Sequence, residues 1–252
     1  MRLTFLGTGT STGVPTLGCR CSTCTSADPR DQRTRSSVLL EYSGRAVVID
    51  TSPDFRQQGL RERLDRLDAV VFTHTHADHV FGLDDVRVFN MRQKAAIPIY
   101  ADSTSMANIR RIFDYIFRAN YAPGGIPQLD PRLIEGPFEL WGARMIPLPV
   151  LHGELPVLGF RFGNTAYITD FSVIPESTFA LIEGVDVLIL DALRHKPHPT
   201  HSTLEQSLGI VERIKPGRAF FTHIAHELAH EATNAALPAG VQLAYDGLKV
   251  EL

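Results

Sequence analysis

The 252-residue chain has little cysteine: three residues, all between positions 19 and 24. So small, odd and crowded a set argues against a disulfide framework and for a reducing, cytoplasmic compartment. No stretch of 18 apolar residues is present, so no membrane-spanning helix is expected. The first residues, Met1-Arg2-Leu3-Thr4-Phe5, enter a strand at once, without the charged, apolar and small-residue zones of a signal peptide. Positive charge is not in excess either. Lys and Arg number 25 against 28 Asp and Glu, a net charge of −3, which leaves no basic footprint for nucleic acid. Fixed-period repeats and low-complexity tracts are also absent. What remains is 44% hydrophobic, enough for a sizeable core in one large α/β domain or two small ones.

What the chain does have is Thr73-His74-Thr75-His76-Ala77-Asp78-His79, directly after the apolar run Ala69-Val70-Val71-Phe72. The run reads as a short buried strand, a rigid base for whatever follows it. Three imidazoles and a carboxylate within six residues are far more metal-competent groups than a loop needs. His74 and His76 alternate as strand neighbours and suit one ion. Asp78 and His79 point elsewhere and suit a second. The spacing therefore predicts two cations side by side, an arrangement used for hydrolysis and for in-line displacement at phosphorus.

Along the chain, Arg2–Leu6 reads as a strand leading into Gly7-Thr8-Gly9-Thr10-Ser11-Thr12-Gly13. No apolar helix follows that loop, so a dinucleotide-binding reading is weak. Strands at 36–42 and 45–50 meet at Ser43-Gly44, a hairpin signal. Ser52 as cap and Pro53 at the first position predict a helix there. Ile97–Ala101 is a strand, and Asp102 or Ser103 caps a helix carrying Met106, Ile109, Phe113 and Ile116 at helical spacing. Residues 120–131, with Pro123-Gly124-Gly125, read as a long substrate-side loop. Strands at 132–134, 138–141, 144–148, 159–162 and 165–169 follow. A helix from Pro175 to Gly184, a strand at 186–190 and a capping box at Ser202-Thr203-Leu204-Glu205 come next. A strand at 218–221, a helix at 225–236 and strands at 242–245 and 248–252 close the chain. Strands and helices in both halves imply two sheets packed face to face with helices outside, a four-layer α/β sandwich in a single domain spanning 1–252.

Three more residues share one signature, a ligand-type side chain immediately after an apolar strand: His152, Asp170 and His223. Ligands that converge from different strands must sit at a common cleft. With Thr-His-Thr-His-Ala-Asp-His, this set resembles the metallo-β-lactamase superfamily of hydrolases. The resemblance implies a four-layered αβ/βα sandwich, with His74, His76 and His152 on one metal, Asp78, His79 and His223 on the other, and Asp170 bridging both.

A narrower likeness lies in Gly18-Cys19-Arg20-Cys21-Ser22-Thr23-Cys24 and Thr222-His223-Ile224-Ala225-His226. These resemble the PhnP-type phosphodiesterases, which act on 5-phosphoribosyl 1,2-cyclic phosphate. That resemblance implies a structural zinc on Cys19, Cys21, Cys24 and His226, stapling a loop at about 7–35. Three soft ligands and one imidazole are also a closed tetrahedral zinc set by their spacing. The likeness further assigns His201 to an active-site histidine that binds the phosphate or donates a proton to the leaving oxygen.

The function expected is therefore hydrolysis of a small cyclic phosphodiester by a hydroxide activated between two divalent ions, manganese or zinc, with Asp78 and His201 essential to catalysis. A nuclease of the tRNA-processing type, a cyclic-nucleotide phosphodiesterase, and a thioester or lactam hydrolase are the alternatives. The expected partner is a small-molecule phosphodiester, with neither nucleic acid nor a membrane, and family likeness implies a homodimer. Asp50 reads either as an orienting group behind a metal histidine or as a helix-entry cap. Arg30, Arg33 and Arg35 read as a solvated basic face, His195 and His198 as surface loop, and His230 as solvated.

Overall fold

The computed structural model describes residues 1–118 and 125–252. Its strands are β1 (Arg2–Gly7), β2 (Ser37–Tyr42), β3 (Arg45–Ile49), β4 (Ala69–Val71), β5 (Ile97–Ala101), β6 (Leu129–Leu133), β7 (Phe138–Leu140), β8 (Ala143–His152), β9 (Leu155–Phe162), β10 (Thr165–Ile168), β11 (Val187–Asp191), β12 (Arg218–Thr222), β13 (Val241–Leu243) and β14 (Lys249–Glu251). They form two seven-stranded sheets, ordered β14-β1-β2-β3-β4-β5-β6 and β13-β12-β11-β10-β9-β8-β7.

Each sheet is antiparallel on one side and parallel on the other. The pairs β14/β1, β1/β2 and β2/β3 are antiparallel, and β3/β4, β4/β5 and β5/β6 are parallel. The second sheet repeats the division, antiparallel from β7 to β10 and parallel from β10 to β13. Local sequence explains both kinds of connection. Ser43 and Gly44 both take positive φ, 49° and 70°, the backbone of a tight hairpin turn between β2 and β3. Parallel neighbours need crossovers instead, and helices supply them. These are α1 (Phe55–Arg61), α2 (Ala77–Val80), α3 (Arg87–Gln93), α4 (Ser103–Ile112), α5 (Asp114–Phe117), α6 (Glu176–Ile182) and α7 (Leu204–Ile214), with α8 (His230–Ala236) after β12.

The period-2 pattern of the strands sorts their side chains into layers. Leu3, Phe5, Val47 and Ile49 of the first sheet meet Phe160, Phe162, Ile189 and Phe220 of the second in the central layer. The alternate residues face outward. Val48, Val70 and Ile99 pack under Phe55, Phe89 and Ile109, while Ile168, Leu188 and Phe221 pack under Ile182 and Leu204. In the central strands β3, β4, β10 and β11 both faces are buried, so they read as continuous apolar runs, whereas β8 and the edge strand β14 alternate between buried and exposed residues. Each fully buried Val, Leu, Ile or Phe contributes roughly 1.5–3 kcal/mol. The result is the four-layer αβ/βα sandwich expected from the sequence.

Several local expectations shift. The first helix starts at Phe55 rather than Pro53, because the Asp54 carboxylate accepts from Arg35 (backbone N 2.9 Å, Nη1 3.0 Å) and leaves the helix end uncapped. The capping box lies one residue later than expected. Thr203 Oγ1 accepts from Gln206 N at 3.2 Å and Gln206 Oε1 from Thr203 N at 2.8 Å, while the Ser202 hydroxyl is buried against Ser207. The helical run through Met106 and Ile116 breaks at Phe113. The strand expected at 132–134 is β6, and Pro123-Gly124 lies outside the described residues.

The arginines form no solvated face. Arg33 is buried and donates to Asp31 Oδ1 (3.1 Å), Ala225 O (3.2 Å) and Leu228 O (2.7 Å). Two carbonyls that a helix from 225 would use are thus taken by a guanidinium, and the last helix begins only at His230. Arg35 pairs with Asp54, and Arg30 with Asp28 and Glu231. His230 is buried rather than solvated. The glycine-rich loop serves close packing. A Cβ on Gly7 would lie 2.0 Å from Arg35 O, and Thr8 gives its N–H and hydroxyl to the buried Asp246 carboxylate (2.9 and 2.8 Å).

Candidate metal centre

Six strands deliver a polar residue at or just past their C-terminal ends: Asp50 after β3, the Thr73–His79 segment after β4, His152 on β8, Asp170 after β10, Asp191 on β11 and His223 after β12. The carboxyl ends of parallel strands are where α/β sheets place their ligands. Three of these residues, Asp50 (φ 64°), Asp170 (φ 55°) and His223 (φ 54°), have left-handed backbone. Non-glycine residues seldom adopt it, and such strain gathers at functional sites.

His74, His76 and His152 form one group. His74 Nε2 and His76 Nδ1 are 3.0 Å apart, and the His152 ring centroid lies 5.7 and 5.1 Å from theirs. The far nitrogens are already committed. His152 Nδ1 donates to Thr200 O at 2.7 Å, and His74 Nδ1 is 3.0 Å from Thr73 Oγ1. Thr73 gives its own proton to Asp50 Oδ2 at 2.7 Å, so its hydroxyl accepts from His74. Both imidazoles therefore present a bare Nε2.

Asp78, His79, Asp170 and His223 form the second group, all buried. His79 Nε2 lies 3.4 Å from Asp78 Oδ2 and 3.3 Å from Asp170 Oδ2. His223 Nε2 lies 3.2 Å from Asp170 Oδ1 and 3.7 Å from Asp78 Oδ2. His79 Nδ1 donates to Asp50 Oδ2 at 2.8 Å, so Asp50 orients an imidazole and caps no helix. Burial opposes charge throughout this pocket, yet Asp170, Asp78 and Asp191 outweigh it at His223 and push that imidazole up to about 9. The field is one that favours a cation.

The donor sets fit metal ions. A tetrahedron with bonds of about 2.0–2.1 Å has edges near 3.3 Å, and the ligand-to-ligand distances cluster there. His79 Nε2 and His223 Nε2 are also buried without a hydrogen-bond partner, a costly state that a metal bond relieves. Asp170 belongs to the second group and also lies with His152 and His201, so it reaches toward both.

The sulfur cluster is equally compact. Cys19, Cys21 and Cys24 Sγ lie 3.3, 3.3 and 3.5 Å from His226 Nδ1. The Cys24 N–H donates to Cys21 Sγ and the Thr16 N–H to Cys24 Sγ, both at 3.4 Å. The first of these, with help from His226, pulls the Cys21 thiol down to about 6, while burial pushes Cys24 up to about 11. Three sulfurs and one imidazole within bonding reach of a single point are the donor set of a closed zinc site.

His201 stands beside both active-site groups, its ring centroid 4.7 Å from His223 and 4.5 Å from His152. Its Nδ1 donates to Asp191 Oδ2 at 2.7 Å. Asp191 is fully buried and was missed by the sequence reading, which ended the preceding strand at Leu190. The signal was present: Asp191 follows an apolar run just as His152, Asp170 and His223 do. Thr73 and Thr200, which orient histidines, carry no comparable mark. His195 is exposed as expected. His198 is half-buried, its ring 5.1 Å from that of His201.

Residues 45–224 match a family described as the beta-lactamase superfamily domain. Among solved structures, one described as a new diphosphatase from the PhnP family is 50% identical, covers 100% of this chain and 97% of its own, and superposes with a TM-score of 0.94. An octanoyltransferase of Porphyromonas gingivalis is 38% identical over 99% of this chain, which spans only 51% of that relative. Coenzyme PQQ synthesis protein B of Methylorubrum extorquens is 33% identical over 76% of this chain and 72% of its own length. Among the described residues no helix is long and apolar enough to cross a membrane. Fold, convergent metal-type ligands and these matches agree: the chain belongs to the β-lactamase superfamily and is a metal-dependent hydrolase resembling the PhnP family.

Proposed function

We propose that the chain hydrolyses a small cyclic phosphodiester, with 5-phosphoribosyl 1,2-cyclic phosphate the first candidate. The observation that carries this reading is the His201–Asp191 pair beside the two ligand groups. It is an oriented imidazole that belongs to neither group and is free to serve the substrate. His74, His76 and His152 would hold one divalent ion, Asp78, His79 and His223 the other, with Asp170 reaching both. Manganese and zinc both suit nitrogen and oxygen donors of this kind. Such a pair, when bound, lowers the proton affinity of water and offsets charge on phosphoryl oxygens.

The chain's own groups do the rest. Asp50, Thr73 and Thr200 fix the imidazoles so that each offers a defined nitrogen. Asp191 accepts the Nδ1 proton of His201 and holds the ring; a second proton, on Nε2, is the one that would bind a phosphoryl oxygen or pass to the departing ribose oxygen. Asp78 anchors the second group. The cysteine cluster would hold a structural zinc that ties the N-terminal loop to the segment before α8. The net charge of −3 favours a small anionic substrate at the site over a nucleic acid partner at the surface.

A second reading comes from the PhnP-family diphosphatase at 50% identity, which favours a phosphoanhydride bond. A substrate panel on protein reconstituted with manganese or zinc separates them. It comprises 5-phosphoribosyl 1,2-cyclic phosphate, a 2′,3′-cyclic nucleotide, bis(p-nitrophenyl) phosphate, a nucleoside diphosphate and a thioester. The highest kcat/KM is expected for the cyclic ribose phosphate. Preference for the nucleoside diphosphate would select the second reading, and preference for the thioester would overturn both.

A further inference from the structure

Three of the buried imidazoles in the two ligand groups have their Nδ1 paired: His74 with Thr73, His152 with Thr200 O and His79 with Asp50. His223 is the exception. Its Nε2 faces Asp170 and Asp78, where it would ligate a metal; an imidazole that ligates through Nε2 carries its proton on Nδ1, and among the described residues that nitrogen is buried without a partner. A carboxylate oxygen, Asp191 Oδ1, lies 4.0 Å from it, itself buried and unpartnered among the described residues. The other oxygen of the same carboxylate already accepts from His201. Thr222, which pairs with Asp191 in the β11–β12 register, has a third orphaned atom, its Oγ1. Buried polar groups are almost always satisfied, and 4.0 Å is beyond a direct hydrogen bond but within reach of one bridging water or a small turn of the carboxylate.

We propose that Asp191 is a shared positioning residue: Oδ2 holds His201 and Oδ1 takes the Nδ1 proton of His223, so that one buried carboxylate sets a metal-binding imidazole and the substrate-facing one together. The assignment has a structural reason. Asp191 ends β11 and Thr222 ends β12, and their parallel pairing puts the carboxylate beside the backbone that carries His223. His201 reaches the same carboxylate from the loop before α7. Loss of His201 should then cost turnover alone, whereas loss of Asp191 should cost turnover and metal affinity. The inference rests on the metal reading of the site and not on the identity of the substrate.

The test compares the full chain with Asp191→Asn and His201→Asn. Each is stripped with chelator, refilled with zinc and titrated against a competing chelator. The Asp191→Asn chain should bind one zinc equivalent 10- to 100-fold more weakly, the usual cost of losing an orienting partner, while His201→Asn binds as wild type does. Unchanged affinity in Asp191→Asn, or an equal loss in His201→Asn, overturns the proposal. If Asp191→Asn does not fold, histidine 15N spectra of the zinc-loaded wild type decide. A slowly exchanging Nδ1 proton on His223 is expected, and one that exchanges like a solvent-exposed imidazole proton overturns it. A wild-type chain that takes up no zinc at these residues overturns the proposal along with the metal reading. Failure of the substrate panel alone touches only the substrate.

Discussion

Asp50 and His79 are joined by a 2.8 Å hydrogen bond across 29 residues of sequence, and both side chains are fully buried. The same carboxylate accepts from Thr73 N at 2.8 Å and Thr73 Oγ1 at 2.7 Å, so it braces both ends of the histidine-rich segment. Asp50→Ala therefore leaves three buried donors unsatisfied, each at about 1–3 kcal/mol before relaxation. Metal affinity should fall roughly 10- to 100-fold as His79 loses its orientation. Chemical denaturation and zinc titration measure the two effects. A variant that kept wild-type affinity would show that α2 alone positions His79.

Much of this arrangement was legible because it follows from order along the chain. Apolar runs ending in a ligand-type residue mark strand ends, and strand ends of one sheet side must converge, so His152, Asp170 and His223 could be placed beside His74–His79. What was not legible depends on long-range pairing. Arg33 looks like a surface cation until Asp31 and the carbonyls of Ala225 and Leu228 surround it. Ser52 looks like a cap, but the helix behind it starts later because Asp54 is drawn to Arg35. Asp191 was within reach of the strand-end rule and escaped by one residue of strand length.

His230 provides a pH signature away from the ligand groups. It is buried against Tyr245, its Nε2 accepts from Asn234 Nδ2 at 2.8 Å, and its backbone N–H donates to Asp31 Oδ1. Burial, reinforced by Arg30 and Arg33 and opposed by Asp28 and Asp31, pulls its imidazole down to about 4 from an ordinary 6.5. The folded value lies below the unfolded one, so the unfolded chain binds more protons between them. The stability His230 contributes is present above about 6.5 and is lost as pH falls toward 4. His230→Gln retains an acceptor for Asn234 and cannot titrate. Between pH 7 and 5 its unfolding free energy should fall by about 2 kcal/mol less than that of the wild type. Parallel slopes for the two proteins in urea titrations at both pH values would refute this.

The sulfur cluster makes the last prediction. Cys19, Cys21 and Cys24 sit in a loop with few apolar anchors (Leu17 is 97% exposed), while His226 lies more than 200 residues away in sequence. The loop meets His226 through its three sulfurs, 3.3–3.5 Å from His226 Nδ1. A closed zinc site here would tie together a loop spanning nearly the whole chain, and metal binding of that kind contributes directly to folding. Cys24→Ser should release one zinc equivalent, lower Tm by several degrees and expose residues 16–28 to proteolysis. Zinc at the residues 74–223 centre should survive, because no ligand-type side chain is shared between the two clusters. If Cys24→Ser retained its full zinc complement and a protease-resistant loop, the cysteines would be reduced side chains packed together rather than metal ligands.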